Sequence, residues 1–319
     1  MADTEPANPE SRARPPGRSH LAAWGQLLRV PNLFTVPGDP VVGFILASAG
    51  GLTASRPGIR MALAVGVSLL MYAAGLLWND WFDLAEDRRE RPARPLPSGL
   101  VRPGTVALVG NVLIALAIAV AAVAGRPTLY VALALGAAVM AYNAFLKRLP
   151  LVGPLTMGLC RGLSVLVGAA AFGAAGLRQD AVLACAGGIA VYVAAVTVLA
   201  SVETKPAAVK PICLLVTVAV GAWCVGLILT VPSANPPARW ALTAACAAAA
   251  VWTASRLAKL GDEAAPATVQ RTVGELIRGL ILIQAAAVIS TGWTGAAIAA
   301  GLVVCFLLNA ILARRFYAS

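Results

Sequence analysis

The sequence predicts an all-α fold, a polytopic transmembrane bundle of nine to ten spanning helices, and three observations carry that prediction. Of the 319 residues, 59% are hydrophobic and only 12% charged, with a mean hydropathy of +0.81. Soluble domains average roughly 45–50% apolar and about 25% charged. So little polar surface cannot cover so much apolar sequence in water, and lipid has to solvate most of it. Second, apolar stretches of the ~20 residues that a span requires recur along the whole chain. Third, the net charge of +11 sits mainly in short loops between those stretches. That is the pattern of a positive-inside topology, and no nucleic-acid partner is expected from it.

Residues 1–20 are rich in Pro, Arg and small polar side chains and are expected to form a disordered cytoplasmic tail. They do not read as a signal peptide, because a long apolar run follows without a cleavage pattern. Residues 21–319 are expected to form a single transmembrane domain. Leu21 to Val30, with Trp24 and Arg29, reads as an interfacial lead-in. Ten apolar segments follow, at 33–52, 58–79, 104–125, 127–146, 152–176, 181–202, 211–231, 239–257, 274–291 and 294–313. Their connections are short, so neighbours should run antiparallel. The last two are joined only by Gly292 and Trp293, which also allows a re-entrant hairpin.

Orientation follows from the basic residues. With the N-terminus in the cytoplasm, 18 Lys and Arg fall inside and 5 outside (Arg56, Arg60, Arg126, Arg178, Arg239). Arg161 and Arg278 lie within or at the edge of spans. All six cysteines lie in apolar stretches without C-x-x-C spacing and read as packing residues. The single histidine, His20, is in the tail, which argues against a zinc site or a histidine base.

Chemistry concentrates after the second span, in LLWNDWFDLAEDRRERPARPLPSG. Five of the chain's 14 acidic residues lie there: Asp80, Asp83, Glu86, Asp87 and Glu90. If the helix continues past the membrane surface, a turn of about 100° per residue brings Asn79, Asp80, Asp83 and Asp87 onto one face. Such a cluster repels itself unless cations bind it. Mg²⁺ takes oxygen ligands and typically bridges carboxylates to substrate phosphates. Arg88, Arg89, Arg91 and Arg94 add donors suited to phosphate oxygens. The competing reading is a solvated loop whose acids pair with nearby arginines.

The run N-D-x-x-D-x-x-x-D (Asn79, Asp80, Asp83, Asp87), followed by R-P-x-P-S-G from Arg94 to Gly99, resembles the first Asp-rich motif of the UbiA family of intramembrane prenyltransferases. The resemblance implies a UbiA-like fold and an isoprenyl diphosphate donor. It implies Mg²⁺ held by Asn79, Asp80, Asp83 and Asp87, and transfer to an aromatic or other electron-rich acceptor, with membrane lipid as the setting. It also implies a bacterial cytoplasmic membrane with the active site facing the cytoplasm. Asp80, Asp83, Asp87 and Arg161 are then the expected catalytic residues. Asn79, Arg94, Tyr142, Asn143, Lys147 and Glu203 are the expected substrate-binding ones. Arg161 lies about a third of the way into the fifth span, where a charge is a functional hypothesis by default and a diphosphate a natural partner. Asp39, in the helix-breaking run PGDP, is a candidate cavity or acceptor residue.

One feature departs from the family pattern. The loop after the sixth span, ASVETKPAAVKP, lacks a second Asp-rich motif and keeps one acid, Glu203. The chain resembles a divergent branch in which that motif is reduced to a Ser and a Glu, here Ser201 and Glu203. Two other readings therefore stand beside transfer: a non-catalytic carrier of polyprenyl diphosphates, and a small-molecule or ion transporter, which would need polar residues threaded to the midplane.

Overall fold

The computed structural model describes residues 20–202, 209–233, 235–261 and 264–316, and every regular element among them is helical. The expected tail at 1–19 and the expected site residue Glu203, with its neighbour Lys205, lie outside the described residues. Two short helices, α1 (His20–Leu27) and α2 (Val30–Leu33), lead into α3 (Gly38–Ala49). Then come α4 (Pro57–Phe82), α5 (Leu84–Glu90), α6 (Pro103–Ala124), α7 (Arg126–Ala144) and α8 (Val152–Ala169). A 3₁₀ turn at Ala170–Phe172 and α9 (Ala174–Leu177) precede α10 (Asp180–Ser201). The series ends with α11 (Val209–Thr230), α12 (Pro236–Leu257), α13 (Pro266–Val288) and α14 (Trp293–Phe316). Proline occupies the first turn of α4, α6, α7, α12 and α13, where its missing N–H breaks no helical bond.

Each of the ten apolar segments is helical, the one at 152–176 divided into α8, the 3₁₀ turn and α9. Seven are long and apolar enough to cross a membrane: α4, α6, α7, α8, α10, α11 and α14. The remaining three fall short for visible reasons. Helix α3 has 12 residues, α12 carries Trp240, Thr243, Trp252, Thr253, Ser255 and Arg256 among its alanines, and α13 carries Arg271, Glu275 and Arg278. The last segment is one unbroken helix of 24 residues packed on α13, to which the short turn at 289–292 joins it.

Helix α8 is the centre of the bundle and the most enclosed of the seven. It packs on α3, α7 and α10, while α13 closes the ring against α3 and α10. Backbones approach closely where side chains vanish. Val165 O fills the place of a Cβ on Gly43, and Pro40 O fills that of Gly168, so α3 and α8 touch main chain to main chain. Helices α6 and α11 lie outside and turn Leu108, Val112, Leu116, Leu214, Val218 and Leu229 outward, apolar surface that lipid accepts. Trp240 and Trp293 are exposed at helix starts on the side away from Asp83, as interfacial aromatics.

Candidate functional site

The Asp-rich segment is not one continuous helix. Helix α4 ends at Phe82, Asp83 adopts φ −87° and ψ 0°, and α5 restarts at Leu84. The backbone bonds Asp83 N–H to Asn79 O and Asp87 N–H to Asp83 O carry the chain across the break. The four polar side chains nevertheless part company. Asp80 accepts from Arg29 Nη2 at 3.1 Å, Asp83 from Lys147 Nζ at 2.5 Å, and Asp87 from Arg94 Nη1 at 2.8 and 3.0 Å. Each acid has its own cation, but only Asp87 takes a nearby arginine; Asp80 and Asp83 draw theirs from Arg29 and Lys147, far along the chain, and Asp80 and Asp87 are buried rather than solvated. Among the described residues no three Asp, Glu, His or Cys side chains converge as a metal-ligand group.

A cavity of about 260 Å³ opens beside this cluster. Helix α4 lines it with Ser68, Met71, Tyr72, Gly75, Leu76 and Asn79, one face at helical spacing. Helix α7 contributes Leu135, Val139, Tyr142 and Asn143; α8 contributes Met157, Cys160, Arg161 and Ser164. Helix α10 adds Tyr192, Val193, Val196, Thr197 and Ala200, and α13 adds Val273, Ile277 and Leu280. The segment from Arg29 to Val36 covers the remaining side. The walls are mostly apolar, with one polar group around Asn79 and Arg29 and another where Ser68, Ser164 and Arg161 meet. A second, shallower cleft of about 560 Å³ lies outside that end, lined by Gln26, Arg29, Asp80, Glu90, Arg91 and Arg94.

Lys147 lines neither cavity nor cleft, but it joins Asn79, which lines the cavity, to Asp83. Its ammonium stands 3.4 Å from Asn79 Oδ1 and 2.5 Å from Asp83 Oδ1. A cation is therefore already seated between an amide oxygen and a carboxylate, the hard oxygen donors that Mg²⁺ prefers. On donor chemistry Asn79 and Asp83 suit the ion, with Lys147 as the stand-in, while Asp80 and Asp87 face Arg29 and Arg94.

Arg161 meets a carboxylate of the protein rather than awaiting one from a substrate. Its Nε is 2.9 Å from Asp39 Oδ2, and its Nη2 donates to Thr35 O at 2.8 Å. Gln284 Nε2 donates to Asp39 Oδ1 at 2.6 Å and to Thr35 O at 3.0 Å. Asp39 is wholly buried and does not line the cavity, which corrects its reading as a cavity residue. Arg161 does line it, as do Asn79, Tyr142 and Asn143. Arg94 lines the outer cleft instead, and Asp83 and Asp87 line neither. Ser201, at the end of α10, is exposed and turned back onto Val198 O.

Two residues escaped the sequence reading. Arg29 lines both the cavity and the cleft, and its backbone is left-handed at φ 43°, an uncommon state for a non-glycine residue. Gln284 is a fully buried amide in the apolar half of α13, and its side chain fills the space a Cβ on Gly38 would take. The signal for Gln284 was present: one amide in LILIQAAAV. Arg29 reads in the sequence only as an inside charge in an interfacial lead-in.

Residues 40–273 match the model of the UbiA prenyltransferase family. Digeranylgeranylglyceryl phosphate synthases are among the relatives. That of Sulfurisphaera tokodaii is 29% identical over 48% of this chain and 53% of its own length; that of Methanosarcina mazei is 32% identical over 51% and 59%. The chain thus spans little more than half the length of these curated relatives. Two solved structures share the fold. The apo UbiA homolog from Aeropyrum pernix K1 superposes with a TM-score of 0.62 at 18% identity, over 80% of this chain and 96% of that one. The UbiA homolog from Archaeoglobus fulgidus bound to GPP and Mg²⁺ gives 0.59 at 16%, over 82% and 99%.

Proposed function

Because the chain belongs to the UbiA prenyltransferase family, we propose that it is an integral membrane prenyltransferase, moving an isoprenyl group from a prenyl diphosphate to an electron-rich acceptor. The observation that carries this reading is the union of two halves: an apolar cavity, and a single mouth where Asn79, Asp83 and Lys147 meet. The prenyl chain would lie along Met71, Leu76, Val139, Val196 and Leu280, and the diphosphate at the mouth. Asn79, Asp80, Asp83 and Asp87 are the residues that would hold Mg²⁺, which supplies charge to match that developing on the leaving diphosphate.

The rest follows from the chain's own side chains. Lys147 and Arg29 donate to diphosphate oxygens, and Arg94 fixes Asp87 from outside the cavity. The bond between C1 of the prenyl group and the diphosphate oxygen breaks, and its electron pair leaves with the diphosphate. The resulting allylic cation meets apolar walls that exclude water. The acceptor bonds to C1 and loses its proton, so prenyl diphosphate and acceptor become prenylated acceptor, diphosphate and a proton. No base is needed before ionisation, consistent with one histidine at the start of α1. The mouth carries Arg29, Arg94 and Lys147, so the positive-inside rule turns it towards the cytoplasm.

The test is Mg²⁺-dependent diphosphate release from geranyl, farnesyl and geranylgeranyl diphosphates by wild type, Asp83→Asn and Glu203→Gln, with a lipid extract as acceptor pool. Release that needs Mg²⁺ and Asp83 supports the enzyme. A second reading, a carrier of polyprenyl diphosphates, is favoured by the single acid in the loop after α10. Mg²⁺-dependent binding of the same diphosphates without release would select it.

A further inference from the structure

The cavity ends at one level on every long helix that lines it. On α4 its lining runs from Asn79 at the mouth inward to Ser68, eleven residues or about 16 Å. On α7 it runs from Asn143 to Leu135 and on α10 from Ala200 to Tyr192, eight residues or about 12 Å each. The lining of α8 stops at Ser164 and that of α13 at Leu280, each about 10 Å from its mouth-side residue. Five helices thus give one depth, about 10–16 Å.

Bonds between helices brace that inner end. Ser164 donates to Ser68 Oγ at 3.0 Å and joins α8 to α4; Tyr192 donates to Leu276 O at 2.8 Å and joins α10 to α13. Arg161 and Gln284 converge on Asp39 and Thr35, tying α8 and α13 to the segment that opens α3. One turn further along the lining faces stand Ala64, Ala132, Val167, Ile189 and Gln284, none with any exposure. The floor is therefore packed side chain, with no further space behind it. Ser164 and Tyr192 spend their hydroxyl protons on the protein and Asp39 cancels the charge of Arg161, so an apolar tail ends against them without stranding a donor.

Volume gives the same limit as depth. A cavity of about 150 Å³ holds a six-carbon ring, so by the same ratio the 260 Å³ here holds about ten carbons. An isoprene unit extends about 5 Å at ordinary bond lengths. With the diphosphate at Asn79 and Lys147, two units fill the depth along α8 and α13. A third reaches the level of Ser68, and a fourth meets the floor. We propose that the donor is a short prenyl diphosphate, geranyl by preference, with farnesyl at the limit and geranylgeranyl excluded. Leu135 at the floor, and Val167 packed behind it in the same cluster, are the residues that set this limit. The proposal rests on the prenyl-transfer reading and specifies the chain length of its donor.

The experiment uses the full chain in nanodiscs with Mg²⁺ and the S-thiolodiphosphates of geranyl, farnesyl and geranylgeranyl, which bind without reacting. Calorimetry reads their affinities, with free concentrations corrected for partition into protein-free nanodiscs. Geranyl is expected to bind about tenfold or more tightly than geranylgeranyl, the cost of forcing extra carbons into a packed floor, with farnesyl between them. This order requires no variant to fold. Leu135→Ala combined with Val167→Ala removes five side-chain carbons, as many as one isoprene unit adds, and should tighten farnesyl relative to geranyl by about tenfold. Geranylgeranyl binding as tightly as geranyl would mean that the tail leaves sideways into lipid, and overturns the proposal. So does a double variant that melts cooperatively and keeps the wild-type farnesyl-to-geranyl ratio, and so does failure of the geranyl analogue to bind. Diphosphate release from the three parent diphosphates tests the underlying reading separately. No release at any length, alongside preferential binding of geranyl, would sink prenyl transfer while leaving the length limit standing for a carrier.

Discussion

The mouth and the inner end of the cavity use the same chemistry, a carboxylate against a cation, in opposite settings. At the mouth, Arg29 is 38% exposed and Asp83 22%, against 10% for Asp80 and 12% for Lys147, so each pair has one partner that water reaches. At the inner end, Asp39 has no exposure and Arg161 only 9%, and a third residue, Gln284, braces the pair. An ion pair that water reaches is worth about 0–1 kcal/mol and exchanges partners readily. A buried one cannot be opened without stranding a charge. The mouth is thus suited to handing its carboxylates and cations to a metal and a diphosphate. The inner pair is suited to staying shut.

The most direct way to break that contrast is to remove one member of each pair and measure stability. Asp39→Leu leaves Arg161 charged and buried, and should destabilise the protein by about 3–5 kcal/mol. Asp39→Leu combined with Arg161→Met should recover much of that loss, read as the denaturation midpoint in detergent. Asp83→Asn, at the mouth, should shift that midpoint by less than about 1 kcal/mol. Its effect belongs to turnover instead: a fall of about 10²–10³-fold in Mg²⁺-dependent diphosphate release, the size seen when an electrostatic stabiliser is removed. Equal stability losses for the two variants would erase the distinction between the regions.

The mouth was legible in the sequence because its signal is local. Asn79, Asp80, Asp83 and Asp87 lie within one short run, and all ten apolar segments became helices. The partners were not legible, because they come from helices that meet only in the folded bundle. Lys147 reaches Asp83 from 64 residues away, and Gln284 reaches Asp39 from 245. The break at Asp83 has no glycine or proline to announce it, so helical periodicity ran straight through. Arg161 was singled out for its charge, but only packing shows that Asp39 had already met it. Three-dimensional pairing changed the meaning of a charge that composition had correctly flagged.

A smaller perturbation sharpens the inner half of the comparison. In Gly38→Ala the new Cβ would collide with the Gln284 amide, which would have to leave Asp39 and Thr35. Overpacking of this kind costs about 1–3 kcal/mol. Gly38→Ala combined with Gln284→Ala should restore most of the midpoint, because the collision is gone and only the brace is lost.

The smallest expected effect tests where the mouth ends. Arg94 holds Asp87 through one nitrogen shared between both carboxylate oxygens, and it lines the outer cleft rather than the cavity. It is 36% exposed, so Arg94→Ala should cost less than about 1 kcal/mol of stability. If Arg94 acts through Asp87, diphosphate release should fall only a few-fold, with the KM for geranyl diphosphate nearly unchanged. Lys147→Ala removes the ammonium between Asn79 and Asp83, and should raise that KM by about tenfold, the value of one charge-assisted contact. A KM change as large for Arg94→Ala would place the arginine on the diphosphate itself. The outer cleft would then be part of the donor site, and the mouth would extend past the first turn of α5.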